Sequence, residues 1–178
     1  EGSSAREYFS HLAKLVTPFV FEKRVYHPPD SPVNVLLSFG YTLLYNRIAS
    51  SLKARGLNNR IGMFHLGRGQ HAALASDLME ELRFLIDGMV IKLIKSETIK
   101  LEDFDMSDEK YPRLNSKGFQ SFIYAFETLM LKPVTYNNQK IKFINYIDTM
   151  SEKIWRSIKL GLEYIPGRAN KNDFISIL

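Results

Sequence analysis

Gly67-Arg68-Gly69-Gln70-His71-Ala72-Ala73-Leu74-Ala75-Ser76-Asp77-Leu78-Met79-Glu80-Glu81-Leu82-Arg83 is the stretch on which the fold class turns. Its opening, Gly67-x-Gly69-x-x-Ala72, matches the dinucleotide-binding fingerprint in its Ala form, with Asp87 eighteen residues beyond Gly69. That fingerprint needs a strand after its helix. Leu74, Leu78, Leu82 and Leu85 instead hold a helical period, which runs on through Leu93 and Ile94. A βαβ unit is therefore excluded. What survives is a helix start whose free N–H groups, with Arg68 and His71 beside them, form a seat for a phosphate. Gly88 is the expected point at which this helical segment bends or divides.

The flanking sequence repeats the helical theme. Ala5, Tyr8, Phe9, Leu12 and Leu15/Val16 mark a first helix, with Ser3 or Ser4 as its cap. Pro18 and the run His27-Pro28-Pro29-Asp30-Ser31-Pro32 interrupt it. Leu36, Leu37, Gly40, Leu43, Leu44 and Ile48 predict a long helix over about 33–55, stopped by Gly56. Residues 103–110 are polar and acidic, the pattern of an exposed loop. Asn115 or Ser116 caps a helix through Phe119, Phe122, Ile123, Phe126 and Met130, ending before Pro133. A last helix is expected over about 140–162, before a tail broken by Pro166-Gly167. No sustained period-2 strand, internal repeat or low-complexity tract is present. The expected fold is all-α, one helical domain over 1–178, with Phe119, Phe122, Phe126 and Trp155 in its core.

Composition narrows the chemistry. With 45% hydrophobic residues in 178, the chain has material for one sizeable core and is too apolar for a disordered tail. It contains no Cys, which excludes disulfides, thiolate metal sites and a Cys nucleophile. Only His and carboxylates remain as strong metal ligands. No apolar run is long enough for a bilayer and no signal-peptide pattern opens the chain, so the reading is soluble and intracellular. The formal charge of +5 suits a polyanionic partner. Arg6, Arg24, Arg47, Lys53, Arg55, Arg60, Arg68 and Arg83 are spread over the first half, either as phosphate contacts or as ordinary solvated cations.

The densest polar cluster is His65 followed by Asp77, Glu80 and Glu81. Asp77 shares a helix face with both glutamates, and like charges so placed repel unless a cation sits among them. Leu74, Leu78 and Leu82 must be buried on the adjacent face, which would put the carboxylates at the edge of the core. Two readings stand on the residues alone: a divalent-cation site of the Mg or Mn kind, or a solvated acidic face favourable to the helix dipole. A Ser–His–Asp arrangement, a P-loop and HExxH are absent.

Four ordered strings carry a resemblance. They are Glu1-Gly2-x-x-Ala5-Arg6-x-Tyr8-Phe9; Pro29-Asp30-Ser31-Pro32-Val33-Asn34 with Leu37-Ser38-Phe39-Gly40-Tyr41; Gly62-Met63-Phe64-His65; and Leu74-Ala75-Ser76-Asp77-Leu78-Met79-Glu80-Glu81-Leu82-Arg83. Together they resemble the CRISPR-associated adaptation integrase (Cas-one) family, metal-dependent DNA endonucleases that insert new spacers. The resemblance covers about residues 1–94.

It implies a mostly helical catalytic domain in which Glu1, His65 and Glu80 bind Mg2+ or Mn2+, with Asp77 as a further active-site carboxylate. Arg6, Arg68 and Arg83 are the expected phosphate contacts. Implied partners are DNA (protospacer and CRISPR repeat), a second copy of the chain in a homodimer, and a small ferredoxin-like adaptation subunit, in the cytoplasm of a prokaryote. A ligand at residue 1 implies a preceding segment, and the family's N-terminal β-rich domain has no counterpart here. Two departures stand out. The loop Leu66-Gly67-Arg68-Gly69-Gln70-His71 replaces a charged stretch and resembles members fused to a reverse transcriptase, and beyond residue 100 only Tyr164-x-Pro166 echoes the family. The alternatives are a transposon-encoded integrase of the same fold and a catalytically silent DNA-binding or assembly module.

Overall fold

A computed structural model describes residues 2–65, 71–107 and 111–166. The described chain is mostly helical: α1 (Gly2–Leu15), α2 (Pro32–Ala54), α3 (Ala73–Glu80), α4 (Arg83–Lys95), α5 (Ser116–Leu131) and α6 (Phe143–Leu160). Two small antiparallel pairs join them, β1 (Phe104–Asp105) with β2 (Arg113–Leu114) and β3 (Pro133–Tyr136) with β4 (Gln139–Lys142). None of the described helices is long and apolar enough to cross a membrane. Contacts divide the chain into two compact units, one of residues 1–40 and 86–128, the other of residues 41–85 and 129–177.

The start and stop of α2 follow from local chemistry. Ser31 caps it, its carbonyl accepting from Val35 N at 2.9 Å, and Pro32 takes the first helical position, where a missing N–H costs nothing. At the far end Gly56 adopts φ +71°, with Gly56 N on Lys53 O at 2.9 Å and Leu57 N on Leu52 O at 3.3 Å. That paired closure requires the left-handed residue that Gly supplies without strain.

In the first unit, Phe9, Leu12, Val16, Phe19 and Phe21 are buried, as are Leu36, Leu37, Ile86, Val90, Phe104 and Phe122. The buried Asn34 organises the proline-broken segment before α2. Its amide donates to Lys23 O and Asp30 Oδ1, and its Oδ1 accepts from Val25 N and Arg24 Nη1, so all its bonding capacity is used. Asn115 Oδ1 accepts from Gly118 N at 2.9 Å, the expected cap of α5.

In the second unit, Tyr41, Leu44, Ile48, Ala73, Leu74, Leu78 and Leu82 are buried, together with Val134, Phe143, Ile147, Met150 and Ile154. β3 and β4 meet through Asn137 and Asn138, both at positive φ, in register Tyr136↔Gln139. This is a two-residue hairpin turn of the kind Asn tolerates best after Gly.

The all-α class holds, with four local corrections. The segment after His71 divides at Glu81–Leu82, where 3₁₀-type bonds from Glu81 N to Leu78 O and Leu82 N to Met79 O end α3. Gly88 lies inside α4, where burial on its neighbours offsets the intrinsic helix penalty of glycine. Residues 139–142 form a strand instead of opening the last helix. Asp103 and Phe104 are buried, not loop-exposed, although 105–107 are exposed. Phe119 is 48% exposed and lies against Phe39 at 5.4 Å, and Trp155 is half-buried with Lys159 over its ring, so only Phe122 and Phe126 of the expected aromatic core are fully inside.

Candidate active site

Residues 58–65 form a loop folded against α3 in the second unit, pinned at its base by Leu74 N donating to Asn59 O at 3.0 Å. Its tip is gripped by one carboxylate. Asp77 Oδ2 accepts from the Met63 and Phe64 amides, the latter at 3.2 Å, and Oδ1 accepts from His65 N at 3.0 Å. Oδ1 also receives the His65 ring, Nδ1 lying 2.7 Å away. Burial pushes the Asp77 carboxyl up, but the His65 ring and the Met63, His65 and Phe64 amides together outweigh it and hold the group below its ordinary range.

An ionised carboxylate only accepts, so Nδ1 of His65 must carry the hydrogen. In the neutral ring that leaves the Nε2 lone pair unprotonated. The Asp77 side chain is 1% exposed while that of His65 is 44% exposed, so a buried carboxylate holds an imidazole that is partly open to solvent. Gly62 makes the clasp feasible: a Cβ there would stand 2.5 Å from His65 O and 2.8 Å from Asp77 Oδ2. Phe64, held in the same turn, is 86% exposed.

The three carboxylates on the expected shared face separate. Asp77 turns inward. Glu80 points outward, and Arg83 Nη1 reaches both its oxygens, at 3.0 and 2.9 Å. Arg83 in turn lies over the ring of Tyr41, 4.8 Å from its centroid. Burial pushes the Glu81 carboxyl up and raises the nearby Tyr164 phenol well above its ordinary value. Among the described residues no three His, Asp or Glu side chains converge on a point that would hold a metal ion.

Glu1 and Arg68 lie outside the described residues, and Arg6 is exposed on α1. The expected phosphate seat at the start of α3 is not open. The Ala72 amide donates to Tyr45 Oη at 2.6 Å, Ala73 N to His71 O and Leu74 N to Asn59 O, so these N–H groups already have partners. His71 is itself committed, bonded to Ser76 Oγ at 3.0 Å and stacked on Tyr45. Of the other basic residues, Arg24 bonds Asn34 and Ser38, Arg47 pairs with Asp148, and Arg55 bonds Ser51. Sequence reasoning missed Tyr41 and Tyr45: an aromatic on a buried helix reads as core filling, and nothing in spacing reveals which cation or ring it backs.

A carboxylate that fixes the tautomer of a partly exposed imidazole is the arrangement commonly found behind a metal-ligating histidine. Residues 1–128 match the family described as CRISPR associated protein Cas1. The chain belongs to that family. A CRISPR-associated endonuclease Cas1 of Thermus thermophilus is 41% identical over 129 residues, 71% of this chain and 39% of that protein. The chain thus spans about two fifths of that relative's length. A solved Cas6-RT-Cas1–Cas2 complex superposes on this Cas1-family chain with TM-score 0.79 at 28% identity, over 90% of this chain and 18% of that one. A casposase bound to integration product shares the fold at TM-score 0.84 and 23% identity, covering 99% of this chain and 54% of that one.

Proposed function

We propose that this chain carries the catalytic machinery of a CRISPR adaptation integrase: a metal-dependent DNA endonuclease and strand transferase that inserts new spacers into a CRISPR array. The observation that carries the reading is the Asp77–His65 clasp within a family whose relatives are named endonucleases. The donor set fits a Mg2+ or Mn2+ ion, since it offers an imidazole nitrogen and carboxylate oxygens and no thiolate. Glu1, His65 through Nε2, and Glu80 would hold it. Bound there, the ion supplies Lewis-acid stabilisation of the charge that develops on a phosphodiester.

The chain's own groups do the rest. Asp77 fixes the His65 tautomer and leaves the Nε2 lone pair free to bind, so it is a positioning residue. Arg6, Arg68 and Arg83 neutralise phosphates and set the register of the DNA. Transfer of a phosphodiester to a DNA 3′-hydroxyl needs no covalent enzyme intermediate. Partners on this reading are protospacer and repeat DNA, a second copy of the chain, the small ferredoxin-like subunit, and a fused reverse transcriptase.

The test is integration of a short duplex with free 3′-hydroxyls into a plasmid carrying a repeat–spacer array. Product formation should require Mg2+ or Mn2+ and fall at least a hundredfold in His65→Ala and Glu80→Ala. The casposase likeness in fold gives a second reading, a transposon-encoded integrase, which predicts preference for a plasmid bearing terminal inverted repeats. DNA binding without any metal-dependent cleavage would instead establish a silent assembly module.

A further inference from the structure

Arg83 holds Glu80 in an unusual manner. A fork-to-fork pair places two guanidinium nitrogens on two carboxylate oxygens. Here a single nitrogen, Nη1, stands 2.9 and 3.0 Å from the two oxygens, on the bisector of the carboxylate. That is the position a cation bound by both oxygens would take. The guanidinium is also backed by the buried Tyr41, over whose ring it lies at 4.8 Å, so it is held in place from behind.

We propose that Arg83 is a resident counter-cation for Glu80, occupying the carboxylate in the ion-free chain and yielding it when a divalent ion enters. The inference rests on the reading of Glu80 as a metal ligand. Electrostatics sets its sign. A fixed positive charge about 3 Å from a carboxylate weakens the attraction of that carboxylate for a second cation, by an amount that water and the half-exposed setting reduce. In exchange, Arg83 keeps Glu80 ordered. Once displaced, the guanidinium is stationed on Tyr41 beside the ligand, able to meet a phosphate as the ion meets the same strand.

The test is Mn2+ affinity of the protein without DNA, read as loss of the free-ion signal in electron paramagnetic resonance. Arg83→Gln should bind Mn2+ roughly three- to tenfold more tightly than the natural protein. Arg83→Lys keeps the charge and should stay within about twofold. Glu80→Ala should lose the affinity gained in Arg83→Gln when the two are combined. Thermal melts of each variant without metal check that the fold persists, and Tyr41→Leu, which removes the backing ring and leaves the guanidinium charge in place, should shift affinity in the same direction by less. If Glu80→Ala alone binds Mn2+ as the natural protein does, the metal reading of Glu80 falls. If Glu80→Ala loses binding while Arg83→Gln and Tyr41→Leu leave it unchanged or weaker, the metal reading stands and the counter-cation role is overturned.

Discussion

Asp77 and Asp103, a buried aspartate from each compact unit, solve the same physical problem in different ways. Asp77 accepts from the Met63, Phe64 and His65 amides, and Asp103 accepts from the Lys100 amide at 2.9 Å. Each is pushed up by burial and pulled lower still by its donors, so each stays ionised. Each also stands against a glycine that admits no side chain: Gly62 against Asp77 Oδ2 and His65 O, Gly118 against Asp103 O at 2.8 Å. The difference lies in the last partner. Asp103 Oδ1 has the exposed Lys117 ammonium 3.0 Å away, a cation that balances its charge from the solvent side. Asp77 meets an imidazole, which has a second nitrogen left over. The first device closes a corner; the second orients an imidazole.

The comparison breaks most visibly at Asp77 itself. Asp77→Ala strands the amides of a three-residue turn and frees the imidazole, and should destabilise the protein by about 2–4 kcal/mol in urea titration. Metal-dependent DNA cleavage should vanish with it. Next comes Gly62→Ala, whose new methyl stands 2.5 Å from His65 O. A cost of about 1–3 kcal/mol is expected, with cleavage lost because the ring is displaced. Gly118→Ala should cost as much and leave cleavage intact, because its neighbours are Leu114 and Asp103. Equal loss of cleavage in both glycine variants would erase the distinction drawn between the two corners.

Asp103→Asn follows, at about 1–2 kcal/mol at neutral pH. The pH dependence has a definite sign. A carboxyl whose folded pKa lies below its unfolded value of about 3.9 contributes stability that is complete above that value and is lost as pH falls through the folded one. Both aspartates belong to this case. Stability should therefore drop on acidification below about pH 4, and less steeply in Asp103→Asn than in the natural protein. Urea midpoints at pH 7 and pH 3.5 read the difference, and parallel acid limbs would remove Asp103 from the account.

Little of this contrast was visible in the residues. The helices were legible because Leu74, Leu78, Leu82 and Leu85, or Leu36, Leu37, Leu44 and Ile48, repeat at the helical period, and burial follows that period. The β3–β4 hairpin carried its own signal, Asn137-Asn138 between Val134-Thr135-Tyr136 and Lys140-Ile141-Lys142, overlooked because the run is short. Helical spacing correctly put Asp77 and Glu80 one turn apart. It did not separate the carboxylate that turns inward from the one that turns out, because that choice depends on where the loop at Gly62 returns over α3. Asp103 read as loop for a similar reason: its burial comes from pairing with residues 113–118, which no local pattern encodes.

The smallest expected effect is at Lys117, and it sharpens the contrast most. Its side chain is 68% exposed, reaching Glu102 at 3.7 Å and Asp103 at 3.0 Å. An exposed ammonium on a flexible stem is screened within a Debye length of about 8 Å at physiological salt. Lys117→Gln should therefore lower the thermal midpoint slightly at low salt and leave it unchanged at 1 M NaCl. His65→Gln should show no such salt dependence, because the Asp77 side of its ring is buried and the amide donors to Asp77 remain. It should nevertheless abolish metal-dependent cleavage, which Lys117→Gln leaves untouched. A salt-independent loss of stability in Lys117→Gln would mean that Asp103 depends on its cation as strictly as Asp77 depends on its amides, and the two corners would then be built alike.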